Sequence, residues 1–274
     1  MRRAMRWAFA PPSSAHIALQ GAIDFSAGRS WLREQDGLTV QHLLTGAIGW
    51  ALAETPEANA RMIDGRAYPV EDVGVVMPVN LLGHAAGAHD ALGVAIVAPV
   101  QHMSVREIAE ATTRRVSGQR AGHSENPVKR RLKAAVDRIP GPAIDAALGV
   151  AGVALRSKHV VDGLSRLFPA TTMVSNAGAV LGKEAPEGVL YRGASFAVPP
   201  RIGHLATMWA TSFIQDEVIP VGGEPVVRPM LPVTLMFDHR AFDGVVAGRL
   251  MLKVAERLQH PLEAFGANGL GRLS

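Results

Sequence analysis

The stretch Arg228 to Gly244, RPMLPVTLMFDHRAFDG, decides how the rest of the chain is read. Val233 to Phe237 has the apolar, β-branched texture of a buried strand. It runs directly into Asp238-His239-Arg240, then Asp243-Gly244, then a helix over Gly244 to Leu258 with Val246, Leu250, Val254 and Leu258 at helical spacing. His260-Pro261 stops that helix. A histidine at a strand end, with a carboxylate four residues on, is a sensible place for a general base. The same residues have a plainer reading, in which His239 only ends a strand and Asp243 only caps a helix. Spacing alone leaves both open.

Working backwards, Val218 to Val221 and Pro225 to Met230 flank Gly222-Gly223, a hairpin signal. Strands are expected at Leu205 to Ile214, Ser195 to Val198 and Thr171 to Ser175. Residues 117–168 differ in texture. A polar loop, Ser117 to Pro127, leads to a basic helix, Val128 to Ile139. Pro140-Gly141-Pro142 then opens an Ala- and Val-rich helix to about Leu155, and a short third helix covers His159 to Leu167. Earlier, Val73 to Val79 and Leu92 to Val100 read as a strand pair, and Ser104 with Glu107 forms a capping box for a helix to about Val116. Thr39 caps a helix over Val40 to Leu52, which Pro56 ends. His16 to Phe25 alternates as a strand. Hairpins and a mixed order of elements favour an α/β sandwich, with a mixed sheet packed by helices, over a doubly wound fold.

Composition narrows the function classes. The chain has 274 residues, 48% apolar and 19% charged, which supports one domain with a substantial core. It contains no cysteine, so disulfides, thiolate metal sites and a cysteine nucleophile are excluded, and a reducing cytoplasm fits. A net charge of +4 with 5% aromatics gives no case for nucleic acid. No run is long and apolar enough for a membrane span or a signal peptide. There is no GxGxxG after a strand and no GxxxxGK[ST]. His84, His89 and Asp90 match no common zinc spacing, so no metal is expected.

DHRxxDG after an apolar strand resembles the catalytic signature of the dihydrolipoyl acyltransferase component of 2-oxoacid dehydrogenase complexes, a family that shares its fold with chloramphenicol acetyltransferase. The resemblance extends over nearly the whole chain. RRAM and AHIALQGAIDFS look like the opening helix and first strand. LTVQHLLTGAIGWALAETPEANAR (38–61) looks like the first long helix, and LGVAIVAPVQHMSVREIA (92–109) like the strand and helix that follow. TMVSNAG (172–178) looks like the strand ending in Ser-Asn-x-Gly. It implies an acyltransferase that moves an acyl group between coenzyme A and a dihydrolipoyl-type thiol or another acceptor. His239 would be the general base and Ser175 the donor to the oxyanion, while Asp243 would hold the loop through Arg2, Arg3 or Arg6. Asn176 and Gly178 would shape the serine strand, with Arg240 and Gly244 as supporting residues. It further implies a homotrimer, or a multiple of trimers, in which His239 and Ser175 meet across an interface.

The sequence departs from that family in two ways. None of Lys129, Lys133, Lys158, Lys183 and Lys253 lies in an Asp-Lys-Ala turn, so no covalently attached lipoate is expected, and a separate lipoyl or other carrier would bring the acyl group. Coenzyme A is then a substrate and the chain one catalytic domain, residues 1–274. Residues 117–168 and 179–200 exceed the family's connections and read as an insertion that either covers a pocket or only packs. The run Lys129-Arg130-Arg131-Lys133 would meet phosphates or be a solvated helix face, and His204 would line the pocket or have no role. Two other readings stand beside the main one: a small-molecule O-acetyltransferase, and a non-catalytic trimeric scaffold or binding protein.

Overall fold

The computed structural model describes residues 16–80, 92–120, 141–178, 189–194 and 204–273. Strand β1 (His16–Asp24) is followed by helices α1 (Ser26–Arg33) and α2 (Val40–Ala53). The hairpin β2 (Ala60–Ile63) and β3 (Arg66–Pro69) precedes β4 (Val75–Asn80), β5 (Leu92–Val97) and α3 (Val105–Arg120). Helices α4 (Gly141–Ala154) and α5 (Lys158–Ser165) come next, then β6 (Thr172–Asn176) and β7 (Thr207–Thr211). The chain closes with β8 (Gln215–Val221), β9 (Glu224–Asp238), α6 (Gly244–Gln259) and α7 (Pro261–Phe265).

One seven-stranded mixed sheet organises the molecule, in the order β1-β9-β7-β6-β4-β5, with β8 also paired to β9. Strands β4, β6 and β7 run parallel to one another, and the other pairings are antiparallel. Alternation gives the sheet two faces. Val174, Trp209, Leu235 and Phe237 point into the main core with Leu43, Ile48 and Trp50 of α2 and Leu250 and Val254 of α6. The expected caps are present. The Thr39 side chain accepts from the His42 backbone N–H, and Ser104 and Glu107 cap reciprocally.

Several expectations shift. The separate strands 225–230 and 233–237 are one 15-residue strand, β9. Pro229 and Pro232 remove donors from its ladder without ending it, since Pro229 pairs with Asp216 and Pro232 with Ala22. Pro261 stops α6 and also starts α7, a position where its missing N–H costs nothing. Helix α1 and the β2–β3 hairpin were not anticipated. The signal for the hairpin was Asp64-Gly65, whose φ values of 48° and 77° suit a two-residue turn. Gly222 and Gly223, at 61° and 91°, form the turn read from the sequence. The helix expected over 128–139, the strand over 195–198 and most of the 179–200 connection lie outside the described residues.

The α4–α5 segment makes polar contacts with the hairpin and keeps apolar residues outward. Arg156 pairs with Asp64 at 2.8 Å and Lys158 lies over the Tyr68 ring. Val161 is buried, whereas Val150 and Val153 are 72% and 70% exposed. Among the described residues, no helix is long and apolar enough to cross a membrane.

Candidate active site

The signature at 238–244 folds as a turn in which each neighbour of the histidine has a fixed partner. Asp238 ends β9 and is 1% exposed. Its carboxylate accepts from the Arg240 backbone N–H at 3.0 Å and from the guanidinium at 2.9 and 2.6 Å. Burial alone would raise the Asp238 pKa. Arg240's hydrogen bonds and charge, with His16 across the β1–β9 pairing, outweigh it and hold that pKa below the usual carboxylate range. Phe242 stacks on Phe237 at 4.9 Å. Asp243 accepts from the Val245 and Val246 N–H groups at 3.0 Å each, as the N-cap of α6. His239 is exposed between these anchors, with its ring tilted against Phe237 at 5.9 Å.

Ser175 belongs to the other end of the sheet. It lies in β6, in register with Ala210, which pairs in turn with Thr234, itself paired with Gln20. Paired residues share a face, so these four sit on the face opposite Val174, Trp209 and Leu235. Gln41 donates to the Val174 carbonyl at 3.2 Å and ties α2 to this strand. Asn176 follows Ser175 and pairs with Thr211. Gly178 is sterically required, because a Cβ there would lie 2.9 Å from the Ser212 carbonyl carbon. Gly244, by contrast, has open space around its Cβ direction.

A single chain does not bring Ser175 and His239 together. Five residues of strand separate the Ser175 row from His239, and two strand spacings separate their strands, so they lie about 20 Å apart. Asp243 is occupied as a cap, and Arg2, Arg3 and Arg6, its expected partners, lie outside the described residues. So do His84, His89, Asp90 and the Lys129 to Lys133 run. Among the described residues, no cluster of metal-ligating side chains occurs. A depression of about 350 Å³ lined by Asp36, Leu38, Arg106 and Arg114 contains none of the candidate residues.

Sequence reasoning passed over one group beside His239: Asp238, the partner of Arg240, was legible as an Asp-x-Arg pair. His204, read from the sequence as lining the pocket or having no role, lies just before β7. It takes a positive φ of 48°, and its Nδ1 lies 2.9 Å from the Met62 carbonyl oxygen. Burial lowers its pKa, against the Met62 hydrogen bond and helped by Arg61.

Comparisons with known proteins bear on the fold and on the segment that holds this turn. Residues 203–266 match the family model for the 2-oxoacid dehydrogenases acyltransferase (catalytic domain). No curated protein sequence matches the chain. Among solved structures, a probable dihydrolipoamide acetyltransferase from Listeria monocytogenes is similar at 16% identity and a TM-score of 0.64, over 94% of this chain and 90% of that one. A dihydrolipoamide acetyltransferase from Azotobacter vinelandii, studied for a serine, a histidine and an asparagine in its catalytic mechanism, is similar at 16% identity and a TM-score of 0.62, over 92% and 84%. A chloramphenicol acetyltransferase is similar at 12% identity and a TM-score of 0.50, over 94% and 95%. The chain therefore has the fold of these acetyltransferases, and its segment 203–266, which holds the DHRxxDG turn, matches the catalytic-domain model of the 2-oxoacid dehydrogenase acyltransferases.

Proposed function

We propose that the protein is an acyltransferase that moves an acyl group between coenzyme A and a dihydrolipoyl-type thiol. His239 removes the thiol proton. The thiolate attacks the thioester carbonyl, a new C–S bond forms, and the oxyanion accepts a hydrogen bond from the Ser175 hydroxyl. Collapse breaks the old C–S bond, and the departing thiolate recovers the proton from the imidazolium. A thiol pKa near 8.5 leaves a neutral imidazole little driving force to overcome. A placed hydroxyl serves the developing charge without reorganising.

The observation that carries this reading is the exposed His239 ring, left free by an Asp238–Arg240 clasp on one side and an Asp243 cap on the other. Since Ser175 stands about 20 Å away in the same chain, the reading requires a second copy to supply it. A homotrimer, or a multiple of trimers, meets that requirement by placing the histidine end of one copy against the serine face of the next. The acyl group arrives on acyl-CoA or on a separate lipoyl-type carrier.

Purified protein with acetyl-CoA and dihydrolipoamide tests the proposal. His239→Ala should abolish transfer, and full retained activity would refute the mechanism. Failure to bind coenzyme A at millimolar concentration would favour the scaffold reading, and transfer only to hydroxyl acceptors the O-acetyltransferase reading.

A further inference from the structure

The neighbourhood of Ser175 holds two buried hydroxyls with no partner. Thr234 is 0% exposed and Ser212 is 5% exposed, and neither Oγ has a hydrogen-bond partner. A buried hydroxyl without a partner is costly and uncommon. Both lie near Ser175. Thr234 shares its row through Ala210, and Ser212 directly follows Thr211, the partner of Asn176. Only the short side chain of Ala210 stands between Ser175 and Thr234 in this row, about 10 Å from strand to strand. Gln20, exposed at the end of this lane, adds an amide.

Residues 189–194 cross this lane. A Cβ at Gly193 would lie 2.9 Å from Thr234 Oγ1 and 3.0 Å from Gln20 Nε2. The segment is held from the side. The Tyr191 N–H donates to Gln215 Oε1 and Gln215 Nε2 donates to the Tyr191 carbonyl, at 2.9 and 2.8 Å, while Arg192 pairs with Glu217. The backbone thus seals the Thr234 hydroxyl without satisfying it.

We infer that Thr234, with Ser212, forms a subsite for an amide carried on the flexible arm of a thiol or thioester substrate, which enters by taking the place of Gly193. This rests on the proposed role of Ser175. The pantetheine arm of an acyl-CoA and the tail of dihydrolipoamide both carry such an amide several bonds from the reacting sulfur. A hydroxyl can donate to its carbonyl or accept from its N–H.

The test compares Thr234→Val and Thr234→Ser with the wild-type protein, using acetyl-CoA as donor and dihydrolipoamide or dihydrolipoate as acceptor. Thr234→Val should melt no lower than wild type, because an unsatisfied hydroxyl is removed, and should raise KM for the amide-bearing partner about three- to tenfold. A loss confined to dihydrolipoamide, with its advantage over dihydrolipoate gone, identifies the acceptor's amide. A loss confined to acetyl-CoA identifies the donor's arm. Thr234→Ser should recover the wild-type KM. If the second methyl of valine disturbs the strand, Thr234→Ala carries the same comparison. Unchanged KM for both substrates overturns the subsite while leaving the acyltransferase reading intact. Absence of transfer in the wild-type protein overturns that reading, and the subsite with it.

Discussion

The two ends of the central sheet are built by different means. The His239 end is made from neighbours in sequence: Asp238 grips Arg240 two residues on, Phe242 stacks on Phe237, and Asp243 caps the helix that begins beside it. The Ser175 end is assembled from α2, β6, β7, β9 and residues 189–194, which are scattered along the chain. Polar groups at the first end are mostly partnered. At the second, Gln41 Oε1, His42 Nδ1, Ser212 Oγ and Thr234 Oγ1 are buried without partners. The contrast distinguishes a turn that is complete within its own sequence from a face with unmet hydrogen-bonding capacity.

The strongest way to break this comparison is to remove the two side chains the mechanism joins. His239→Ala should lower transfer about 100- to 10,000-fold, and Ser175→Ala about 100- to 1,000-fold. Neither should shift the melting temperature by more than a degree or two, since both groups are at least partly exposed. Mixing the two inactive proteins through a denature-and-refold cycle should restore activity at about a quarter of the sites. Mixed samples that stay inactive would place both residues in one copy's site and remove the need for an interface.

Next in size is an acid sensitivity centred on His42, near the Ser175 end. His42 is buried with its pKa lowered to about 4 by desolvation. Below pH 6.5 the unfolded chain takes up a proton that the folded chain refuses, so stability falls as pH drops, by about 3 kcal/mol on reaching about pH 4. Denaturant titrations of His42→Leu across this range should show a flatter profile than wild type, and parallel profiles would discard the idea.

The Asp238 carboxylate, at the His239 end, should respond in a lower pH range. Asp238 has a depressed pKa, so its contribution is complete above the ordinary carboxylate value near 4 and is lost as pH falls through the folded value. Asp238→Asn should cost about 1.5–3 kcal/mol near neutral pH and remove that acid limb. Smallest is the cap. Asp243→Ala should destabilise by about 1 kcal/mol with Asp243→Asn nearly neutral, while Gly244→Ala should be tolerated, because nothing lies within 4 Å of its Cβ direction. An Asp243→Ala loss several times larger would reveal a second partner for the carboxylate.

The same division explains what the sequence could reveal. Periodicity located α2, α6 and most strands, because their apolar faces repeat along one element. The 238–244 turn was legible because its partners lie within a few residues of one another. Pro229 and Pro232 hid the continuity of β9, since a missing donor reads as a break until the pairing is seen. The lane from Ser175 to Gln20 could not be read at all, because it depends on the register of four strands that no local pattern specifies. His204 kept its two readings for a similar reason, its place being set by the carbonyl of Met62.

The placement of β9 also has a consequence for biosynthesis. Among the described residues, β1 bonds to no strand but β9, so Ile17 waits for Phe237, roughly 220 residues later. The emerging strand β1 therefore has no mate in this sheet until some 220 further residues have been made. Synthesis of β9, not early collapse, then sets when β1 can pair, and a chaperone that shields residues 16–24 during translation would be expected to raise the yield of active protein.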